Sequence, residues 1–115
     1  MLPKDRRLGH RDVNRVFATH KSVRGSLLTL KVHHRKDDLP TRFSAVVPKR
    51  VAKKAVDRNL LRRLLYEALA SYREEIRPGY DVVVLAQAGI TPDYELLQTT
   101  LGGLLAEGGL VGSPK

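Results

Sequence analysis

The stretch Phe43-Ser44-Ala45-Val46-Val47-Pro48-Lys49-Arg50-Val51-Ala52-Lys53-Lys54-Ala55-Val56-Asp57-Arg58-Asn59-Leu60-Leu61-Arg62-Arg63 sets the architecture, because the period of its apolar residues changes once. Phe43, Ala45 and Val47 alternate with Ser44 and Val46, the pattern of a strand with one buried face, and Pro48 marks its exit. After the basic connection from Lys49 to Lys54 the period becomes helical. Leu61, Leu64, Leu65, Ala68 and Tyr72 form one stripe, with Arg58, Asn59, Arg62, Arg63 and Tyr66 opposite, which predicts a long helix over 55–76. Arg77-Pro78-Gly79 supplies its stop signal.

Upstream, Leu28, Leu30 and Val32 alternate with Thr29, Lys31 and His33, predicting a strand over 26–34. Asp37-Asp38-Leu39-Pro40 reads as a turn, so this strand and the one at 42–47 are expected to pair as an antiparallel hairpin. Before them, Val13, Val16 and Phe17 recur at helical spacing opposite Arg11, Asn14 and Arg15, a short amphipathic helix between residues 9 and 21. Downstream, Asp81-Val82-Val83-Val84-Leu85-Ala86 is continuous and β-branched, the mark of a strand covered on both faces. Thr91-Pro92-Asp93 then opens a last helix through Leu97, Leu101, Leu104 and Leu105, with the Thr91 hydroxyl as cap. Gly102-Gly103 weakens it by about 1 kcal/mol per glycine relative to alanine. The order is αββαβα, an α+β two-layer sandwich with a small mixed sheet packed by helices. One domain over 1–107 and a flexible tail over 108–115 are expected.

The chain has 115 residues and a formal net charge of +9. Residues 1–63 carry 18 basic and 5 acidic side chains, whereas residues 64–115 carry 3 and 7. The excess is therefore local, and its expected partner is a polyanion. Cysteine is absent, which excludes disulfides, thiolate zinc sites and cysteine nucleophiles and fits a cytoplasmic location. The longest strictly apolar run is Val82 to Ala86, too short for a signal peptide or membrane span.

Chemistry-bearing residues are scattered. His10, His20, His33 and His34 show no metal-ligand spacing, and adjacent His33 and His34 on a strand point to opposite faces. Asp37-Asp38 reads as turn chemistry, Glu74-Glu75 as a solvated helix end, and Asp12 and Asp93 as first-turn acids. Ser44 and Ser71 lack an activating context, and no phosphate-loop fingerprint occurs. No protein active site is expected. The basic segment is the positive signal: Lys49, Arg50, Lys53, Lys54, Arg58, Arg62 and Arg63 accompany one acid, Asp57. Arg58 and Arg62 lie one turn apart, about 6 Å, near the separation of successive phosphates on a nucleic-acid strand.

This segment resembles the protein component of bacterial ribonuclease P, with its strand, basic turn and Arg-Asn-Arg-x-x-Lys/Arg-Arg helix. The flanks are similar and in the same order: Arg7-Leu8 with a helix ending in Val16-Phe17 before, Pro78-Gly79-Tyr80-Asp81-Val82-Val83-Val84 and Tyr94-Glu95 after. The resemblance covers residues 4–106. It implies a fold like domain IV of elongation factor G, with a left-handed βαβ crossover. It also implies a subunit that breaks no bond itself. The partners it implies are the catalytic RNA and precursor tRNA, with no membrane and no further protein required. By the same resemblance the RNA is expected to perform Mg²⁺-dependent removal of the 5′ leader and to hold most of the Mg²⁺. Carried over by motif, Arg58, Asn59, Arg62, Arg63, Lys49, Arg50, Lys53 and Lys54 are implied to bind the catalytic RNA, Tyr66 joins them by its place on the cationic face, where it can stack or donate a hydrogen bond, and Val13, Phe17, Thr29 and Lys31 are implied to receive the leader.

The departures are specific. Leu60 and Tyr66 stand where the family has basic residues, Val13 where it has Phe, Lys31 where an aromatic is frequent, and Gln87 where a basic residue follows the Val-rich strand. Two other readings remain open on the residues alone. One is a ribosomal or ribosome-assembly RNA-binding protein using the same patch. The other is a stand-alone metal nuclease, for which clustered carboxylates are missing.

Overall fold

A computed structural model describes residues 7–18 and 21–111, excepting the side chains of residues 10–12. The features read at His10, Arg11, Asp12, His20 and residues 112–115 lie outside it. The elements run α1 (His10–Phe17), β1 (Ser22–Arg24), β2 (Leu28–His34), β3 (Arg42–Val46), α2 (Ala55–Ser71), β4 (Tyr80–Ala86) and α3 (Tyr94–Glu107). The α+β class and the small mixed sheet stand as expected. One strand is added: β1 is three residues long, too short to display an alternation, and pairs antiparallel with β2.

The expected hairpin does not form. The sheet order is β1-β2-β4-β3, with β4 antiparallel to β2 and parallel to β3. The reason lies in β4 itself. Val82, Val83 and Val84 are all fully buried, and an apolar run of this kind gains most from the middle of a sheet, with both faces and both edges covered. β3, α2 and β4 form the parallel crossover unit.

Leu28, Leu30, Val32, Phe43, Ala45, Val82, Val84 and Ala86 turn one sheet face toward Leu61, Leu65 and Leu69 of α2 and Leu97, Leu101 and Leu105 of α3. The alternate residue Val83 faces the other way, where α1 packs on β4 and β2 and buries Val16. The outer edge of β3 is partly covered: Leu8 N–H donates to the Phe43 carbonyl at 2.7 Å, and the Ala45 N–H donates to the Tyr66 hydroxyl oxygen at 3.1 Å.

The strands β2, β3 and β4 shift by one or two residues at an end, and three other boundaries differ from expectation for identifiable reasons. α2 stops at Ser71 rather than near residue 76, because the returning backbone is held at Arg77. Its N–H donates to Leu110 O at 2.8 Å, and its carbonyl accepts from Thr41 Oγ1 at 2.6 Å. α3 is capped by Asp93, which accepts from Leu96 N–H at 3.2 Å, and not by Thr91. The segment expected to be a tail from Gly108 joins the core as far as Leu110, which is 0% exposed.

Gly102 is more than a weak point in α3. A Cβ there would overlap the Tyr72 hydroxyl, so the missing side chain lets α2 and α3 approach closely. Tyr72 donates to the Gln98 carbonyl at 2.8 Å. Gly79, at φ +96°, turns the chain into β4 where a Cβ would meet the Asp37 carbonyl at 2.5 Å.

An ionic cluster pins the start of β4. Asp81 is 0% exposed; Arg42 approaches it with Nε and Nη2, each at 3.1 Å, and Arg35 donates to it as well. Arg35 also grips Asp37 and the Leu39 and Pro40 carbonyls. Hydrogen bonding to Arg35 holds the Asp37 carboxyl below its usual range. Burial opposes the Arg35 charge, but its hydrogen bonds to Asp37 and Asp81 raise its pKa overall. Two of the chain's cations are thus structural.

Candidate nucleic-acid interface

After β3 the chain makes a tight turn in which Val51 N–H and Ala52 N–H both donate to the Pro48 carbonyl, at 3.0 and 3.2 Å. Lys49 and Arg50 are thrown outward, and Lys53 and Lys54 follow, all exposed. Lys54 is the N-cap of α2 and makes no side-chain capping bond. Cations at a helix N-terminus oppose the helix dipole, and here only Asp57 in the first turn offsets them.

The next cations are less equivalent than their spacing implies. Arg58 folds back, its Nη1 donating to the Ala52 carbonyl at 3.0 Å and the Lys53 carbonyl at 2.8 Å. It braces the turn. Arg62 donates to the Asn59 side-chain oxygen, and Arg63 is exposed. None of the seven cations from Lys49 to Arg63 forms an ion pair among the described residues, in contrast to Arg35 and Arg42. Tyr66 is half-buried against the core and spends its acceptor on Ala45, so its ring belongs first to the packing of α2 on β3.

A groove of about 390 Å³ opens beside the turn, lined by Arg24, Thr29, Lys31, Arg50, Leu85 and Gln87. It holds three cations and no carboxylate. The Thr29 hydroxyl accepts from the Gln87 amide, and Lys31 Nζ donates to Ser22 Oγ at 2.9 Å. Arg50 lies on both the turn and this groove, so the two cationic surfaces are continuous. Val13 and Phe17 sit on α1, over the same sheet face, with Phe17 40% exposed. Periodicity gives no sign of Arg24, since its strand is too short to show one. Gln87 stands out in the sequence only as a departure from the family pattern. Among the described residues no three of His, Cys, Asp or Glu come together as a metal site, and no helix is long and apolar enough to cross a membrane.

Comparison with known proteins bears on what this surface holds. The family model described as Ribonuclease P matches residues 2–108. The ribonuclease P protein component of Synechocystis sp. is 33% identical over 112 residues, covering 96% of this chain and 90% of that protein. Its counterpart in Microcystis aeruginosa is 34% identical over 115 residues and covers 96% of each. Among solved structures, the RNase P protein of Staphylococcus aureus shares the fold at TM-score 0.80 and 20% identity, over 96% of this chain and all 100% of that one. The RNase P protein of Thermotoga maritima aligns at TM-score 0.75 and 25% identity, over 88% and 96%.

Proposed function

The chain belongs to the ribonuclease P protein family, and on that premise we propose that its turn and α2 grip the catalytic RNA while the adjoining groove receives the 5′ leader of precursor tRNA. The chain is the protein component of a ribonucleoprotein endoribonuclease acting in tRNA 5′ maturation, and the protein is not the catalytic part. What supports the division of labour is one observation: seven cations on a turn and one helix, none ion-paired among the described residues, run into a carboxylate-free groove.

Lys49, Arg50, Lys53, Lys54, Asn59, Arg62 and Arg63 are the proposed contacts to catalytic-RNA phosphates, with Arg58 bracing the turn that presents four of them and Tyr66 limited to the edge of the contact. Val13, Phe17, Thr29 and Lys31, extended by Arg24, Arg50 and Gln87, are the proposed leader contacts. With one exposed aromatic on α1, leader binding leans on charge more than on stacking. The Mg²⁺ that supports cleavage is proposed to be held by RNA phosphates, and the protein side chains supply fixed positive charge that lowers the Mg²⁺ needed to bring two polyanions together.

The test is the salt dependence of binding to the catalytic RNA. Removing one phosphate-binding cation makes the log–log slope shallower by about 0.7–0.9. Arg62→Ala with Arg63→Ala is expected to change it by roughly twice that amount. An unaltered slope overturns the assignment of these residues.

A further inference from the structure

The exposed side of α2 is not cationic throughout. Val56 is 68% exposed, and Leu60, one turn on, is half-buried. Between α2 and the chain that follows β4 lies a groove of about 440 Å³ whose apolar walls include Leu60, Ile90 and Pro92. That volume falls within the range of small-ligand clefts, about 300–1,000 Å³. Two charged residues line it, Lys53 and Asp57. Asp57 is exposed, and its carboxylate makes no hydrogen bond or ion pair among the described residues.

This composition selects an occupant. Lys53 stands on the wall of the groove, Lys54 is its neighbour in the chain, and Val51 and Ala52 make the groove continuous with the cationic turn. A carboxylate in that setting repels phosphate, so beyond its part in offsetting the first-turn cations Asp57 favours, in any occupant of the groove, a group that donates hydrogen bonds. Unpaired bases are recognised by packing of their flat faces and by hydrogen bonds to their Watson–Crick edges. Guanine alone among the common bases presents two adjacent donors on that edge, N1–H and the N2 amino group, matching the two oxygens of a carboxylate.

We propose that this groove takes an unpaired guanine of the RNA held by α2, its face against Leu60, Ile90 and Pro92, its donor edge on Asp57 and its phosphate toward Lys53. The inference rests on the reading of α2 as an RNA-binding face and adds a base contact to it. The leucine at position 60 thereby replaces a phosphate contact with an apolar one.

Asp57→Ala separates contact from charge. By charge alone, removing an acid beside a polyanion strengthens binding; by the proposed contact, it weakens binding to the catalytic RNA about tenfold. Kethoxal, which modifies the N1 and N2 edge of unpaired guanines, reads the same contact directly. The expected result is a guanine that the wild-type protein protects and that both Asp57→Ala and Leu60→Ser re-expose while the RNA stays bound at saturating protein. Asp57 is exposed, so its variant leaves the core untouched. The inference is overturned if the wild-type complex protects no guanine, if protection survives both variants, if Asp57→Ala binds more tightly, or if the groove instead holds a second copy, seen as a dimer that Leu60→Ser dissociates. Failure of the wild-type protein to bind the RNA at all overturns the reading of α2 as well.

Discussion

Arg58 Nη1 lies 2.8 Å from the carbonyl oxygen of Lys53, so the first guanidinium of α2 is committed to the turn that precedes it. A second bond, to the Ala52 carbonyl, completes the brace. Arg58→Ala is expected to cost about 1–2 kcal/mol of stability through two charge-assisted bonds on a partly exposed group. Its effect on the salt slope of RNA binding should be smaller than that of Arg63→Ala. Urea unfolding and a salt titration of binding, run on both variants, check the contrast.

The buried Asp81 is the counter-charge of Arg35 and Arg42. Asp81→Asn leaves two guanidinium groups facing a neutral amide at the start of the central strand, and a loss of about 3–5 kcal/mol is expected in urea denaturation. Glu74→Gln, on the exposed turn after α2, should stay within about 0.5 kcal/mol of wild type.

Adjacent glycines in α3 are expected to respond with opposite sign. Gly103 has open space where a Cβ would go, and Gly103→Ala should raise stability by about 0.5–1 kcal/mol through helix propensity. Gly102→Ala drives a methyl into the Tyr72 hydroxyl and should lower stability. Thermal unfolding of the two single variants decides the sign.

Stability should fall at both ends of the pH scale for identifiable reasons. The Asp37 carboxyl is lowered from 3.8 by Arg35, so its contribution is full above 3.8 and is lost as pH falls through the folded-state value. Asp37→Asn should flatten that acid limb. Burial, with Glu75 and Tyr94 nearby, raises the Tyr72 phenol above 10.0, so its contribution is full below 10.0 and is lost as pH rises through the folded-state value. Tyr72→Phe should flatten the alkaline limb in the same unfolding series.

The helices, the core stripe of α2 and the doubly buried β4 can be read from periodicity, because each depends on which residues in a local window are apolar. Strand order cannot. The run Val82–Ala86 announces a strand covered on both faces but does not name its neighbours, and Asp37–Pro40 looks like a hairpin turn whether or not its flanking strands touch. One cluster that ties β4 to its neighbours joins Arg35 and Arg42 to Asp81, which lies far along the chain and carries no local sign of its partners. The same limit applies to the interface. A row of cations at Arg58, Arg62 and Arg63 is visible in the sequence, but the brace from Arg58 to two backbone carbonyls depends on how the turn folds. Arg24 enters the groove only because β1 pairs with β2.

If this chain supplies positive charge to an RNA catalyst, precursor tRNA should be held and processed at Mg²⁺ concentrations too low for the RNA alone. The direct measurement is 5′ maturation of precursor tRNA by the catalytic RNA at low Mg²⁺, with and without the protein, using substrates with long and short leaders. The protein is expected to accelerate cleavage, with a larger gain for the long leader, and Lys31→Ala with Arg24→Ala is expected to erase that difference. Equal rates with and without the protein would contradict the assigned role.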